Sequence, residues 1–104
     1  MDIIGEDLII RDLPDGSIKI ENSSTNRAIT VNDKRLLGPL GISMRETKLN
    51  GFKSSFYGEG FKIRRETNDS LRIILDDTFV IVKDSDVFNV YCAVVTCCRK
   101  LGYV

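Results

Sequence analysis

Glu59-Gly-Phe-Lys-Ile-Arg-Arg-Glu-Thr-Asn-Asp-Ser-Leu-Arg-Ile-Ile-Leu, residues 59–75, is the stretch that decides the fold we predict for this chain. Apolar and charged side chains alternate on both sides of Thr67-Asn68-Asp69, a run that favours a turn. Alternation with a period of two is typical of a strand with one buried and one solvated face. The stretch therefore predicts two antiparallel strands, from Gly60 to Glu66 and from Ser70 to Leu75.

The same pattern occurs near the beginning of the chain. Identical residues recur there at a constant spacing: Glu6, Ile10, Arg11, Ser17 and Ile20 align with Glu59, Ile63, Arg64, Ser70 and Ile73. Such self-similarity is typical of a duplicated supersecondary unit, although two hairpins of ordinary composition could also resemble each other by chance. We predict a single domain over residues 1–104, with pseudo-repeat 1 at 6–40, a connection at 41–58 and pseudo-repeat 2 at 59–104.

Each pseudo-repeat is predicted to hold three strands. Further strands are expected at 7–13, 17–21, 28–31 and 78–83, separated by polar turns. A helix beginning at Lys34 is expected to stop at Gly38-Pro39, because proline lacks a backbone donor and disfavours helix at the preceding residue. The connection lacks a clean period, so we predict a long loop with at most a helical turn from Met44 to Leu49.

A helix from Ser85 to Leu101 is predicted to close the chain. Asp84 or Ser85 would cap its start, and Gly102 would form a left-handed cap at its end. Apolar residues surround nearly the whole helix, so it must be buried on nearly every side. We predict burial in a homodimer interface formed by Val87, Val90, Tyr91, Val94 and Cys98. The alternative is that a strongly curved sheet wraps the helix within one subunit.

The predicted fold class is α+β, a curved antiparallel sheet of two βββ(α) repeats with the long C-terminal helix packed on it. The acidic N-terminus does not resemble a secretory signal, and no apolar stretch is long enough to cross a bilayer. The three cysteines lie close together near the C-terminus, which suits a reducing compartment. We therefore expect a cytoplasmic protein without membrane contact.

Catalysis has little support in the sequence. The chain has no histidine, which removes the usual Ser-His and Cys-His nucleophile pairs and leaves too few ligands for a zinc site. The carboxylates around the 78–83 strand are explained as turn and cap residues rather than as ligands of a metal ion. We predict no enzyme activity, no catalytic residues, no metal and no cofactor.

Basic and aromatic residues are interleaved in the connection and the strands after it. The candidate binding residues are Arg45, Lys48, Phe52, Lys53, Phe56, Tyr57, Lys62, Arg64 and Arg72. Because 15 basic and 15 acidic residues cancel, the chain lacks the overall charge that attracts nucleic acid. The leading hypothesis is therefore a small non-enzymatic protein that occupies a protein partner, as a regulator or inhibitor. The alternatives are a single-stranded nucleic-acid-binding protein that uses these residues and an ordinary solvated sheet face.

Overall fold

The computed structural model describes residues 3–49 and 55–104. Within these ranges, four strands and a helix follow one another twice. The first group is β1 (Ile3–Ile4), β2 (Leu8–Asp12), β3 (Ile18–Asn22), β4 (Arg27–Val31) and α1 (Leu37–Leu49). The second group is β5 (Phe56–Gly58), β6 (Phe61–Thr67), β7 (Ser70–Leu75), β8 (Thr78–Lys83) and α2 (Val87–Lys100).

The strands form two antiparallel sheets, ordered β1-β2-β3-β4 and β5-β6-β7-β8. The α+β class and the six longer strands agree with the sequence prediction to within two residues at each end. The single curved sheet does not agree, because β4 and β8 end separate sheets. The two short edge strands, β1 and β5, were also missed. Alternation of apolar and polar residues along a strand indicates which face of the strand is buried. It does not indicate which strands lie at the edges of the sheet.

One hydrophobic core joins the two sheets and the two helices. The inward residues of the sheets include Ile10, Ile20, Ile29, Val31, Ile63, Leu71, Ile73, Val80 and Val82. The helical side of the core includes Leu36, which directly precedes α1, Leu40, Val87, Val90, Val94, Cys97 and Cys98. The helices pack against each other, and α2 also packs on β3. The predicted packing of the C-terminal helix on a sheet is thus confirmed.

Asn22 links the sheets where β4 and β8 lie against each other. The buried side-chain amide of Asn22 donates to the carbonyl oxygen of Ile81 on β8 at 2.8 Å. The amide oxygen of Asn22 accepts the backbone N–H of Ser24 at 2.9 Å. Because a buried polar group without a partner is costly, both bonds satisfy the Asn22 amide, and the bond to Ile81 stabilises this particular contact between the sheets.

The course of α1 corrects the predicted connection. The helix runs from Leu37 to Leu49 and contains Gly38-Pro39, which were expected to end a helix. Both residues lie in its first turn, where backbone N–H groups have no partner within the helix, so proline removes no hydrogen bond there. Proline at this position is therefore compatible with the start of a helix.

The ends of α2 agree in part with the prediction. A short 3-10 turn, Asp84–Asp86, precedes the helix, and Asp86 rather than Asp84 or Ser85 occupies the N-cap position, without a side-chain hydrogen bond to the helix. At the other end Gly102 has a φ of 80°. Its N–H bonds the carbonyl of Arg99 at 3.2 Å, and the N–H of Tyr103 bonds that of Cys98 at 2.8 Å. This pair of bonds is the Schellman motif, so the predicted left-handed cap is confirmed.

Candidate functional site

An open apolar groove lies between α1 and α2. The helices approach closely at Gly41, where a Cβ atom would lie 3.2 Å from Cε1 of Tyr91. Farther along α1 they separate around a cavity of about 570 Å³. Its lining residues are Met44, Arg45, Thr47, Asp84, Val87 and Phe88. We call this cavity the α1–α2 groove. Its volume lies in the range of protein sites that hold a small molecule or a few side chains.

The apolar part of the α1–α2 groove has a buried side and an open side. Val87 is buried in the core, and Met44 packs partly buried against the core. Phe88 is 60 % exposed, although large aromatic side chains dominate the energetics of cores and interfaces. The groove therefore offers a surface on which an apolar side chain of another molecule could be removed from water.

The polar residues of the groove differ in whether they have hydrogen-bond or ion-pair partners. Asp84 accepts a hydrogen bond from Nη1 of Arg65 at 2.7 Å, so its charge is compensated. Arg45 is exposed and forms no ion pair with the described residues. The buried hydroxyl oxygen of Thr47 has no hydrogen-bond partner within the described ranges. Among the described residues, the groove thus combines apolar walls with one positive charge that has no ion-pair partner there.

Of the residues that line the groove, Arg45 was predicted as a binding residue and Val87 as a dimer-interface residue, and none of the others was predicted for either role. A signal was present in α2, because apolar residues occur outside the stripe that faces the core, at Phe88, Cys92 and Val95. The signal in α1 was weaker, because glycine, proline and threonine interrupt its apolar pattern.

The basic residues of the second sheet share its outer face. Arg64 lies opposite Arg72, and Lys62 lies between Tyr57 and Ile74 in the register. Lys62 is exposed, and Tyr57 is 77 % exposed. This arrangement agrees with the alternation predicted for β6 and β7.

Arg72 is occupied by neighbours on the same face. Its Nη2 donates to Oε1 of Glu66 at 3.0 Å, and its Nε also bonds that carboxylate. Hydrogen bonding from Arg72 lowers the pKa of Glu66 and keeps it ionised. The Arg72 guanidinium carbon also lies 4.2 Å from the centre of the Phe79 ring. Arg72 is thus less available to a ligand than the sequence suggested.

Other predicted binding residues do not join one surface. Phe56 is partly buried against the core, and Arg45 lies on α1. Phe52, Lys53 and the side chain of Lys48 lie outside the described part of the chain. The candidate residues are therefore divided between the α1–α2 groove and the outer face of the second sheet.

The residues predicted for a dimer interface are mostly inside the chain. Val87, Val90, Val94 and Cys98 are buried in the core, while Tyr91 is partly buried against Gly41 of α1. Much of this helix is buried within one chain, because α1 and β3 pack against it. A homodimer through α2 would therefore use residues of this helix that lie outside the core.

The buried cysteines have structural surroundings. The Sγ atom of Cys97 donates to the carbonyl oxygen of Val31 at 3.4 Å, and that of Cys98 to the carbonyl oxygen of Asp33 at 3.6 Å. Burial raises the pKa of both thiols, which opposes formation of the nucleophilic thiolate. Their position is explained by packing.

The described residues contain neither a cluster of metal ligands nor a membrane-spanning helix. Nowhere in residues 3–49 and 55–104 do three His, Cys, Asp or Glu side chains cluster so that they could hold a metal ion. The helices within these ranges are too short or too polar to cross a membrane.

Comparisons with known proteins gave no match. No protein-family model, curated protein or solved structure matches the chain.

Proposed function

We propose that this chain is a small non-enzymatic binding protein that occupies a partner protein through the α1–α2 groove, as a regulator or inhibitor. The observation that carries this proposal is the open groove with the 60 % exposed Phe88 at its edge. Exposed aromatic side chains beside an apolar pocket are typical of the residues that dominate protein interfaces. Burial raises the pKa of the Cys97 and Cys98 thiols, which opposes formation of a nucleophilic thiolate at these two residues.

Partner capture with two matched variants tests this proposal. Phe88→Ser and Tyr57→Ser each remove one exposed aromatic ring, from the groove and from the outer face of the second sheet respectively. We expect immobilised wild type and Tyr57→Ser to retain the same specific protein from a lysate of the native cells. Phe88→Ser should lose that protein while keeping the wild-type melting temperature. Retention by Phe88→Ser would show that the groove is not the docking site.

Single-stranded nucleic acid is the second candidate ligand. It is favoured by Tyr57 lying opposite Lys62, because an aromatic ring can stack on a base beside a cation that meets the phosphate. In the capture experiment, loss of a nucleic acid from Tyr57→Ser and not from Phe88→Ser would favour this candidate.

The order of the elements supports an internal duplication, which we also propose. Ile10 and Ile63 occupy the second strand of each sheet, and Ile20 and Ile73 occupy the third. Both aligned pairs are buried, so each repeated residue has the same role in its unit. A related sequence with two more similar halves would support duplication, and relatives whose halves differ entirely would oppose it.

We still predict a homodimer, but we propose a different interface from the one expected from the sequence. The part of α2 that remains outside the core carries Phe88, Cys92 and Val95. A dimer through this face would cover Phe88 and compete with the proposed partner. Light scattering over a range of concentrations measures whether such a dimer forms.

A further inference from the structure

We infer that the α1–α2 groove selects an acidic amphipathic peptide segment of its partner. One large apolar side chain of that segment enters the groove, and a neighbouring carboxylate pairs with Arg45. This inference rests on the proposed function, because it names the chemistry of the partner at the same groove.

The apolar anchor follows from the lining of the groove. Met44, Val87 and Phe88 provide carbon surface around a cavity of about 570 Å³. Because the cavity is open to solvent, a side chain can enter it without separating the two helices. Removing both the anchor and Phe88 from water would provide the main favourable free energy of binding.

The acidic flank follows from the balance of charge at the groove. Of the two charged residues in its lining, Asp84 is compensated by Arg65 at 2.7 Å. Arg45 is exposed and has no ion pair with the described residues. A carboxylate beside the anchor would be attracted to Arg45, and a lysine at the same place would be repelled. Charge complementarity therefore favours an acidic segment over a basic one.

Two short fluorescent peptides test this inference with the full chain. They share one helical apolar face with a leucine anchor, and they differ only in having glutamate or lysine beside that anchor. We expect fluorescence anisotropy to show that the glutamate peptide binds about fivefold more tightly than the lysine peptide at low salt. This is the difference expected when one exposed ion pair is replaced by a contact between like charges. The preference should shrink as added salt screens the charges.

Matched variants assign the preference to Arg45. Arg45→Glu should reverse the order of the two peptides. Arg99→Glu makes the same charge change near the end of α2, away from the groove, and should leave the order unchanged. Phe88→Ser should abolish binding of both peptides without lowering the melting temperature.

Several outcomes would overturn this inference. Equal affinity for both peptides, with binding still lost in Phe88→Ser, would remove the acidic preference and leave partner binding at the groove intact. Failure of both peptides to bind, while Phe88-dependent partner capture succeeds, would also reject this partner chemistry alone. A dimer that forms without peptide and is dissociated by Phe88→Ser would show that a second copy is the occupant. If wild type and Phe88→Ser captured the same partner protein equally well, the proposed function would instead be rejected.

Discussion

Two adjacent valines on α2 show how strongly one position along the helix changes the environment of a side chain. Val94 is 0 % exposed and belongs to the core, whereas Val95 is partly exposed on the outer side of the helix. The two residues have the same chemistry and the same helix propensity. Any difference between their substitutions therefore reports on packing.

Val94→Ala should lower the free energy of unfolding by roughly 1.5 to 3 kcal/mol, because it removes buried methyl groups and leaves a cavity. Val95→Ala, the matched control, should cost at least about 1 kcal/mol less, because its methyl groups remain partly in water. Urea denaturation monitored by circular dichroism measures both values. Equal losses would contradict the placement of Val94 in the core of a single chain.

Two glycines in α1 have different surroundings and test the packing of that helix. At Gly38 a Cβ atom would meet no other atom within 4 Å. At Gly41 it would lie 3.2 Å from the ring of Tyr91 on α2. Alanine restricts the unfolded chain more than glycine does, but a new methyl group stabilises a helix only where there is space.

Gly38→Ala should raise the free energy of unfolding by about 0.5 kcal/mol. Gly41→Ala should give less stabilisation or a loss, because the Tyr91 ring must move to accommodate the methyl group. Thermal denaturation of the two variants side by side gives the comparison. A larger stabilisation from Gly41→Ala would show that α1 and α2 do not approach closely at this residue.

Arg35 connects the segment before α1 to the hairpins of the second sheet. Its guanidinium pairs with Asp33 at 2.9 Å and with Asp76 at 2.8 Å, and it also reaches the carbonyl oxygen of Gly60 at 3.4 Å. Hydrogen bonding from Arg35 lowers the pKa of Asp76. Burial alone would raise the pKa of Asp33, but the hydrogen bonds from Arg35 outweigh it and the pKa is lowered. Folding therefore favours the ionised form of both carboxyl groups.

The contribution of these ion pairs should depend on pH in a defined direction. Carboxyl groups with a lowered folded pKa stabilise the chain above their unfolded pKa of about 3.9, and this contribution is lost as pH falls through the folded pKa. Arg35→Met should therefore destabilise the chain at neutral pH, and its difference from wild type should shrink at acid pH. Chemical denaturation at several pH values measures this difference.

Lys34→Met provides the control for the loss of charge at Arg35. Lys34 is exposed beside Arg35, and no described residue pairs with it. Its substitution should change stability little at either pH. An Arg35→Met effect that stayed constant from neutral to acid pH would contradict an electrostatic role for the contacts with Asp33 and Asp76.

The charge of the whole molecule favours a protein partner over nucleic acid. Basic and acidic residues are equal in number, and Arg72 is paired with Glu66 on the face that was expected to be basic. Lys83, on the same sheet, pairs with Glu6 and Asp7 at 3.2 Å. Pairing of Arg72 and Lys83 therefore reduces the positive charge of the second sheet that could displace the counterions of a nucleic acid, which is the main source of non-specific affinity.

Labelled single-stranded DNA should accordingly bind with a dissociation constant weaker than about 10⁻⁴ M at physiological salt. Fluorescence anisotropy over several salt concentrations measures this binding. A micromolar constant that weakens steeply with salt would favour the nucleic-acid alternative. Loss of that binding in Lys62→Glu with Arg64→Glu would then place it on the outer face of the second sheet.

The sequence by itself determined the α+β class, the longer strands, the last helix and its glycine cap. These features depend on local signals, which are the alternation around Ile63 and Ile73, the turn residues and the special conformation available to Gly102.

Only the tertiary structure decided how these elements meet. Gly38-Pro39 became the start of α1 because the first turn of a helix tolerates a missing donor. The strands formed two sheets rather than one because pairing depends on strand edges, which no periodicity specifies. Val94 is buried within the chain, whereas Phe88 lies at the edge of the α1–α2 groove. Because α2 is apolar on almost every side, the position of α1 determines which side of α2 remains in water.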